Sequence, residues 1–180
     1  MSYCLYIQKL EKNNVHKVYH DTEYGFPLHS DNELFARLML EINQAGLSWE
    51  TILKKKANFY KAFDDFDVAK VSQYSDKKIE RLLQDAGIIR NRLKINAAIE
   101  NARKISELQK EFGSFKSWID KHHPLPKDEW VKLFKKNFRF TGGEIVNEFL
   151  MSSGYLPGAH STDCAVYKKV LKLKPMWANK

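Results

Sequence analysis

Cysteine, glycine and proline are scarce in this chain: two, eight and five in 180 residues. Two cysteines are too few for a disulfide scaffold and point to a reducing compartment. No apolar run approaches the ~18 residues that a bilayer-spanning helix needs. The N-terminal stretch MSYCLYIQKLEKNN has no apolar signal-peptide region, so the expected location is the cytoplasm, with no membrane partner. Sustained period-2 alternation is also missing, which argues against a sheet. No repeat, low-complexity tract or linker interrupts the pattern, so a single domain over residues 1–180 is expected, working as a monomer.

What is present is positive charge and helical periodicity. Thirty Lys and Arg against 22 Asp and Glu leave a formal charge of +8. A surplus of that size suits a polyanion, most simply nucleic acid, although charge alone does not establish one. The 43% of hydrophobic residues is enough for a substantial core. SDNELFARLMLEI opens with Ser30 and Glu33 at capping-box spacing, and Leu34, Phe35, Leu38 and Glu41 share one face or its edge. After NQAGLS a second helix starts behind Ser48, with Trp49, Ile52, Leu53, Phe59, Tyr60 and Phe63 at helical spacing. Asp67 and Ser75 mark two more helix starts, and Gly87 is the expected stop of the second. RNRLKINAAIENARKISELQKEF is a long helix ending at Gly113, SFKSWIDKHH ends at Pro124, KDEWVKLFKKNF follows Pro126, and GGEIVNEFLMSSG runs to Gly154.

Four groups of residues can carry chemistry. In KKNFRFTGGEIVNEF two helices meet at a glycine pair, and bare backbone N–H groups at a helix start form an anion site; Lys135, Lys136 and Arg139 add charge nearby. An ordinary helix–helix turn reads the same way. LLQDAGIIRNRLKI is a second tight turn followed by Arg90, Arg92 and Lys94, read on its own as a solvated basic face. His160 and Cys164 stand four apart, on one side of the chain if HSTDC is a helical turn. With Cys4 and His20 they would make a tetrahedral metal set, although the spacing is not that of a zinc finger and the residues alone leave the set open. Finally, EINQAGLSW places Glu41 eight residues before Trp49. A carboxylate and aromatics around one cavity suit a flat cation, and a solvated helix end beside a core Trp is the plainer alternative.

Taken together, YHDTEYGFP, LFARLMLEINQAGLSWETILKKKANFYKAFDDFD, LLQDAGIIRNRLKI, FRFTGG and HSTDC resemble the bacterial 3-methyladenine DNA glycosylase I family. They cover most of the chain in the family's order, with residues 114–135 weakly matched. The resemblance implies an all-α helix-hairpin-helix fold whose two termini are joined by a structural zinc (Zn2+). It implies a monofunctional enzyme that hydrolyses the N-glycosidic bond of 3-methyladenine in double-stranded alkylated DNA. Carried over residue by residue, it makes Glu41 the catalytic pocket glutamate and Tyr19, Trp49 and Tyr6 base-binding aromatics. Cys4, His20, His160 and Cys164 become the zinc ligands. Thr141, Gly142, Gly143 and Arg139 become the DNA-gripping hairpin, and Leu47 the wedge that enters the duplex. Several positions depart from the family pattern. Tyr6 stands where Trp is usual, His16 where another aromatic is common, and NEFLMS with Asn147, Glu148 and Met151 where YSFMQA is common; Glu144 adds negative charge beside the hairpin. Other helix-hairpin-helix glycosylases carry an Asp a little beyond the hairpin; the next one here is Asp163, inside the metal segment, and Thr141 rather than Lys occupies the lyase place, so no β-lyase activity is expected.

Overall fold

The polar residues that the sequence marks as helix starts act as caps. In the computed structural model, which describes residues 2–179, Ser30 Oγ accepts the Glu33 N–H at 3.2 Å and the Glu33 carboxylate accepts the Ser30 N–H at 3.0 Å. This capping box opens a helix at Asp31–Gln44. Ser48, Asp67 and Ser75 cap Trp49–Ala62, Val68–Ser72 and Asp76–Gln84 in the same way. Numbered in chain order, the α-helices are α1 (Tyr3–Ile7), α2 (Val15–Thr22), α3 (Asp31–Gln44), α4 (Trp49–Ala62), α5 (Val68–Ser72) and α6 (Asp76–Gln84). They continue as α7 (Arg92–Phe112), α8 (Phe115–His122), α9 (Lys127–Asn137), α10 (Gly143–Ser152) and α11 (Ala165–Lys172). No strand occurs among the described residues, so the all-α expectation holds.

Helix α3 is the axle. Every residue from Leu34 to Asn43 is buried, on all sides of the helix, and α4, α5, α7, α8 and α10 pack around it. A helix buried all round is normally apolar all round. Burying Leu34, Phe35, Leu38, Met39 and Ile42 stabilises the fold by roughly 1.5–3 kcal/mol each, whereas Arg37, Glu41 and Asn43 in the same stretch must find partners or be costly. The main core joins α3 through α10, and two small clusters flank it. One holds Cys4, Cys164, Val166 and Val170, the other Tyr19, Tyr24, Leu53 and Ala159.

The structure corrects the expected stop of α6 and the solvated face at Lys94, and it gives the form of two turns. Helix α6 ends at Asp85 and not at Gly87, where the Asp85 carboxylate accepts the Gly87 N–H at 2.7 Å. The left-handed residue of the α9–α10 turn is Phe140, with φ of +57°, and neither Gly142 nor Gly143 needs a positive φ. Lys94 is no part of a solvated face, being buried. HSTDC is a turn, closed by the Cys164 N–H on the Ser161 carbonyl at 2.9 Å, with Cys164 as the N-cap of α11. Helices α1, α2 and α11 carry short patterns that the sequence did not mark.

Candidate functional site

Helix α3 sets Arg37 and Glu41 four residues apart on one face. Both are buried. Arg37 donates to the Ser152 carbonyl at 2.9 Å and the Tyr19 hydroxyl at 3.3 Å, and its guanidinium lies 5.2 Å from the centre of the Tyr19 ring. Its remaining charge faces Glu23 at 3.6 Å. Glu41 is 4% exposed, and among the described residues no group hydrogen-bonds its carboxylate. Burial pushes its pKa from 4.5 up to about 8; the Arg37 charge opposes that rise and Glu148 adds to it.

Glu41 opens on a cavity of about 790 Å³, within the roughly 300–1,000 Å³ of small-molecule sites. Tyr19 and Trp49 form one wall, edge to face with ring centres 5.2 Å apart. Tyr3, His16 and Tyr24 complete the aromatic side. The start of α10 closes the opposite side with Gly142, Gly143, Glu144, Ile145 and Glu148. The Tyr24 hydroxyl donates to Glu148 at 3.1 Å, and burial keeps the Glu148 carboxyl above the usual carboxylate range.

The turn between α3 and α4 forms part of the rim. Gly46 there has φ of +82°, the left-handed region that favours glycine. Leu47 follows it, 40% exposed, while Ser48 starts α4. Across the rim, α10 begins at Gly143 with no side-chain cap on its N–H groups. A Cβ at Gly142 or Gly143 would meet nothing within 4 Å, so this backbone faces open space and its uncapped amides suit an anion. Thr141 is turned inward, its hydroxyl on the Phe138 carbonyl at 3.1 Å. Arg139 is on the surface, paired with Glu100 at 2.6 Å.

A second centre lies behind the aromatic wall. Cys4 Sγ, His20 Nε2, His160 Nδ1 and Cys164 Sγ lie within 4.8 Å of one another, and all four residues are buried. The nitrogen–nitrogen and nitrogen–sulfur separations run from 3.1 Å between the two nitrogens to 4.0 Å between Cys164 and His160, close to the edges of roughly 3.3–3.8 Å in a tetrahedral site with two nitrogens and two sulfurs. The outer nitrogens are engaged as ligating histidines require. His20 Nδ1 donates to Asp21 at 2.7 Å, and His160 Nε2 donates to the Tyr24 carbonyl at 2.7 Å. Both imidazole lone pairs therefore point inward, at each other and at two sulfurs. Four nitrogen and sulfur donors converging on one buried point, with both outer nitrogens engaged, fit a metal ion. Tyr24 serves both centres, by its carbonyl here and its hydroxyl in the cavity.

The structure thus gathers Glu41, Tyr19, Trp49, Leu47, Gly142 and Gly143 around one cavity, and Cys4, His20, His160 and Cys164 in one cluster. It does not bring Tyr6 to the cavity. That ring is 40% exposed, stacked on Tyr3 at 6.3 Å and edge-on to His16 at 5.5 Å. Tyr3, Tyr24 and Glu148 line the cavity without having been singled out for it. The only sequence signal was the neighbourhood of Tyr3 and Tyr24 to Cys4 and His20.

A family model described as methyladenine glycosylase matches residues 9–132. DNA-3-methyladenine glycosylase 1 of Escherichia coli is 37% identical, over 83% of this chain and 89% of that protein. DNA-3-methyladenine glycosylase of Haemophilus influenzae is 33% identical, over 81% and 89%. A solved structure of 3-methyladenine DNA glycosylase I from Staphylococcus aureus superimposes with a TM-score of 0.79 at 33% identity, covering 87% of this chain and 93% of that one. A variant of 3-methyladenine DNA glycosylase I solved in complex with 3-methyladenine gives a TM-score of 0.79 at 30% identity, over 92% and 97%.

Proposed function

The chain belongs to the methyladenine glycosylase family, and from that membership we propose how its cavity performs the reaction. The reaction is hydrolysis of the N-glycosidic bond of 3-methyladenine in alkylated DNA, a base-excision repair step that leaves an abasic site. One observation carries the residue assignment. Glu41 is a buried carboxylate that no group among the described residues hydrogen-bonds, and it faces an aromatic cavity. A flat cation supplies the partner such a group lacks.

Methylation at N3 gives adenine a formal positive charge. When the glycosidic bond breaks, its electron pair passes to the base, which leaves neutral. Water adds to the anomeric carbon and loses its proton to solvent. No strong general acid is needed, so the protein's part is selection and placement. Glu41 favours the cationic base and accepts hydrogen bonds from its polar edge. Tyr19 and Trp49 flank the ring, and exclusion of water strengthens these contacts. The entering cation favours the carboxylate over the neutral acid that burial alone favours.

The nucleotide must first leave the stack, at an expense of a few kcal/mol that is least for a damaged base. Leu47, exposed on the rim, is the wedge that fills the gap. The uncapped start of α10 at Gly142 and Gly143 holds a phosphate of the duplex through backbone amides, with Thr141 shaping the turn and Arg139 adding charge, as a helix-hairpin-helix does. Among the described residues no lysine lines the cavity, which supports a monofunctional reading. We assign Cys4, His20, His160 and Cys164 as ligands of one zinc ion per chain. Four protein ligands leave no open position for a catalytic water, so the ion supplies a structural tie.

A base-release assay on methylated duplex DNA tests the assignment. Wild type is expected to release 3-methyladenine. Glu41→Gln is expected to lose at least about 100-fold in rate, the scale of removing one preorganised electrostatic partner, with an unchanged circular dichroism spectrum. Wild-type release by Glu41→Gln sinks the assignment. Binding of methylated DNA with no free base would instead identify a DNA-binding paralogue, the reading that Glu144 beside the α10 amides favours.

A further inference from the structure

Two buried polar side chains on α7 reach the backbone of the cavity's two rim turns. Lys94, 9% exposed, donates from Nζ to the Asn43 carbonyl at 2.9 Å and the Ala45 carbonyl at 2.8 Å. These are final carbonyls of α3, which have no partner within the helix, and they lead directly into Gly46 and Leu47. Asn101, 1% exposed, takes hold of one residue twice. Its side-chain oxygen accepts the Arg139 N–H at 2.7 Å, and its amide donates to the Arg139 carbonyl at 3.3 Å. Arg139 immediately precedes Phe140, whose φ of +57° is strained for an aromatic residue and persists only where neighbours fix it. Lys94 and Asn101 are seven residues apart, two turns along one face of the same helix.

We propose that Lys94 and Asn101 are positioning residues that set the separation of the Leu47 wedge and the α9–α10 hairpin, so that both engage one duplex and the nucleotide is extruded at the cavity mouth. Burial depresses the Lys94 pKa and no carboxylate compensates it. An ammonium held in that state is stabilised by the negative end of α3, and its three hydrogens are donors in a geometry the turn must respect. The 21-residue α7 is a rigid strut on which the two contacts keep their spacing. Neither side chain lines the cavity, so they act on the reaction through the turns alone.

This inference rests on the glycosylase reading, and its test separates the two. Lys94→Met keeps the length of the side chain and removes the donors. Its single-turnover excision from methylated duplex DNA is expected to fall by about tenfold or more, the scale of a lost charge-assisted hydrogen bond, while calorimetric affinity for free 3-methyladenine changes by less than about twofold. Lys94→Arg, which restores donors, is expected to recover most of the duplex rate. Asn101→Leu is expected to weaken binding of duplex abasic DNA by a similar factor, and Asn101→Asp, which keeps the acceptor for the Arg139 N–H, by less. Equal losses in duplex excision and free-base affinity would mean that these residues only stabilise the core. Wild-type behaviour in both would mean that they position nothing. Absence of base release by the wild-type protein would overturn the glycosylase reading itself.

Discussion

Glu41 combines two demands that conflict. In the proposed role, recognition of a cation wants a carboxylate, whereas burial wants a neutral acid. With its pKa pushed from 4.5 up to about 8, the folded protein holds a proton there that the unfolded chain releases. The stability this contributes is complete below about pH 4.5 and is lost as pH rises through about 8. Glu41→Gln carries no such liability. Thermal unfolding is therefore expected to show the Gln variant gaining on wild type between about pH 5 and about pH 9; a constant difference would place the ionised form of Glu41 in no special environment. Glu148 acts on the same group from across the cavity, since its charge raises the Glu41 pKa. Glu148→Gln is expected to move the acid limb of the pH profile of kcat/KM to lower pH, because Glu41 then loses its proton more easily. A shift to higher pH would show that the Tyr24–Glu148 hydrogen bond, and not the charge, governs the cavity.

At the scale of elements, the site is made by helix ends. Glu41 and Leu47 flank the end of α3, Trp49 begins α4, and Gly143 begins α10. Helix ends are where sequence is most explicit, because caps need particular side chains. Ser30, Ser48, Asp67 and Ser75 were legible for that reason, as were the glycine pair and the position of Glu41 beside Trp49. Lys94 was not. Its spacing with Arg90 and Arg92 matches a solvated face, and only the approach of α3 makes it a cap for another helix. Tyr3, Tyr24 and Glu148 were equally hidden, since which wall an aromatic joins depends on how α2 and α10 meet. The loop after α2 offers a direct check on that meeting. Gly25 has φ of +78°, and a Cβ there would lie 2.7 Å from the Ala159 Cβ. Gly25→Ala is expected to be destabilised by about 2 kcal/mol, a fall in Tm of about 4–8 °C. Gly113→Ala, at a φ of +84° but with open space around it, should lose distinctly less. Equal losses would show that backbone strain alone is at work.

For the molecule as a whole, the four-residue cluster joins distant parts of the chain, from Cys4 to Cys164. If zinc occupies it, elemental analysis of wild type should find about one zinc per chain, and Cys164→Ser should lose it together with a substantial part of the protein's thermal stability. Wild-type protein free of metal, with an undiminished Tm, would remove the ion from the account. The cluster, Tyr3 and Tyr24 also settle why cavity and clasp belong together. Tyr3 precedes Cys4 and its ring meets that of Tyr24 at 5.6 Å, and the Tyr24 carbonyl receives His160.

The same connection orders events in time. A chain leaving the ribosome exposes Tyr3, Cys4 and His20 first and must wait for His160 and Cys164 before that side of the cavity can close. Glu41, Tyr19, Trp49 and the α10 amides are all synthesised by then, yet Tyr24, on the same aromatic side, still lacks the His160 imidazole that its carbonyl receives. The aromatic side of the cavity is thereby completed only when residues 160–164 have come back to residues 4, 20 and 24.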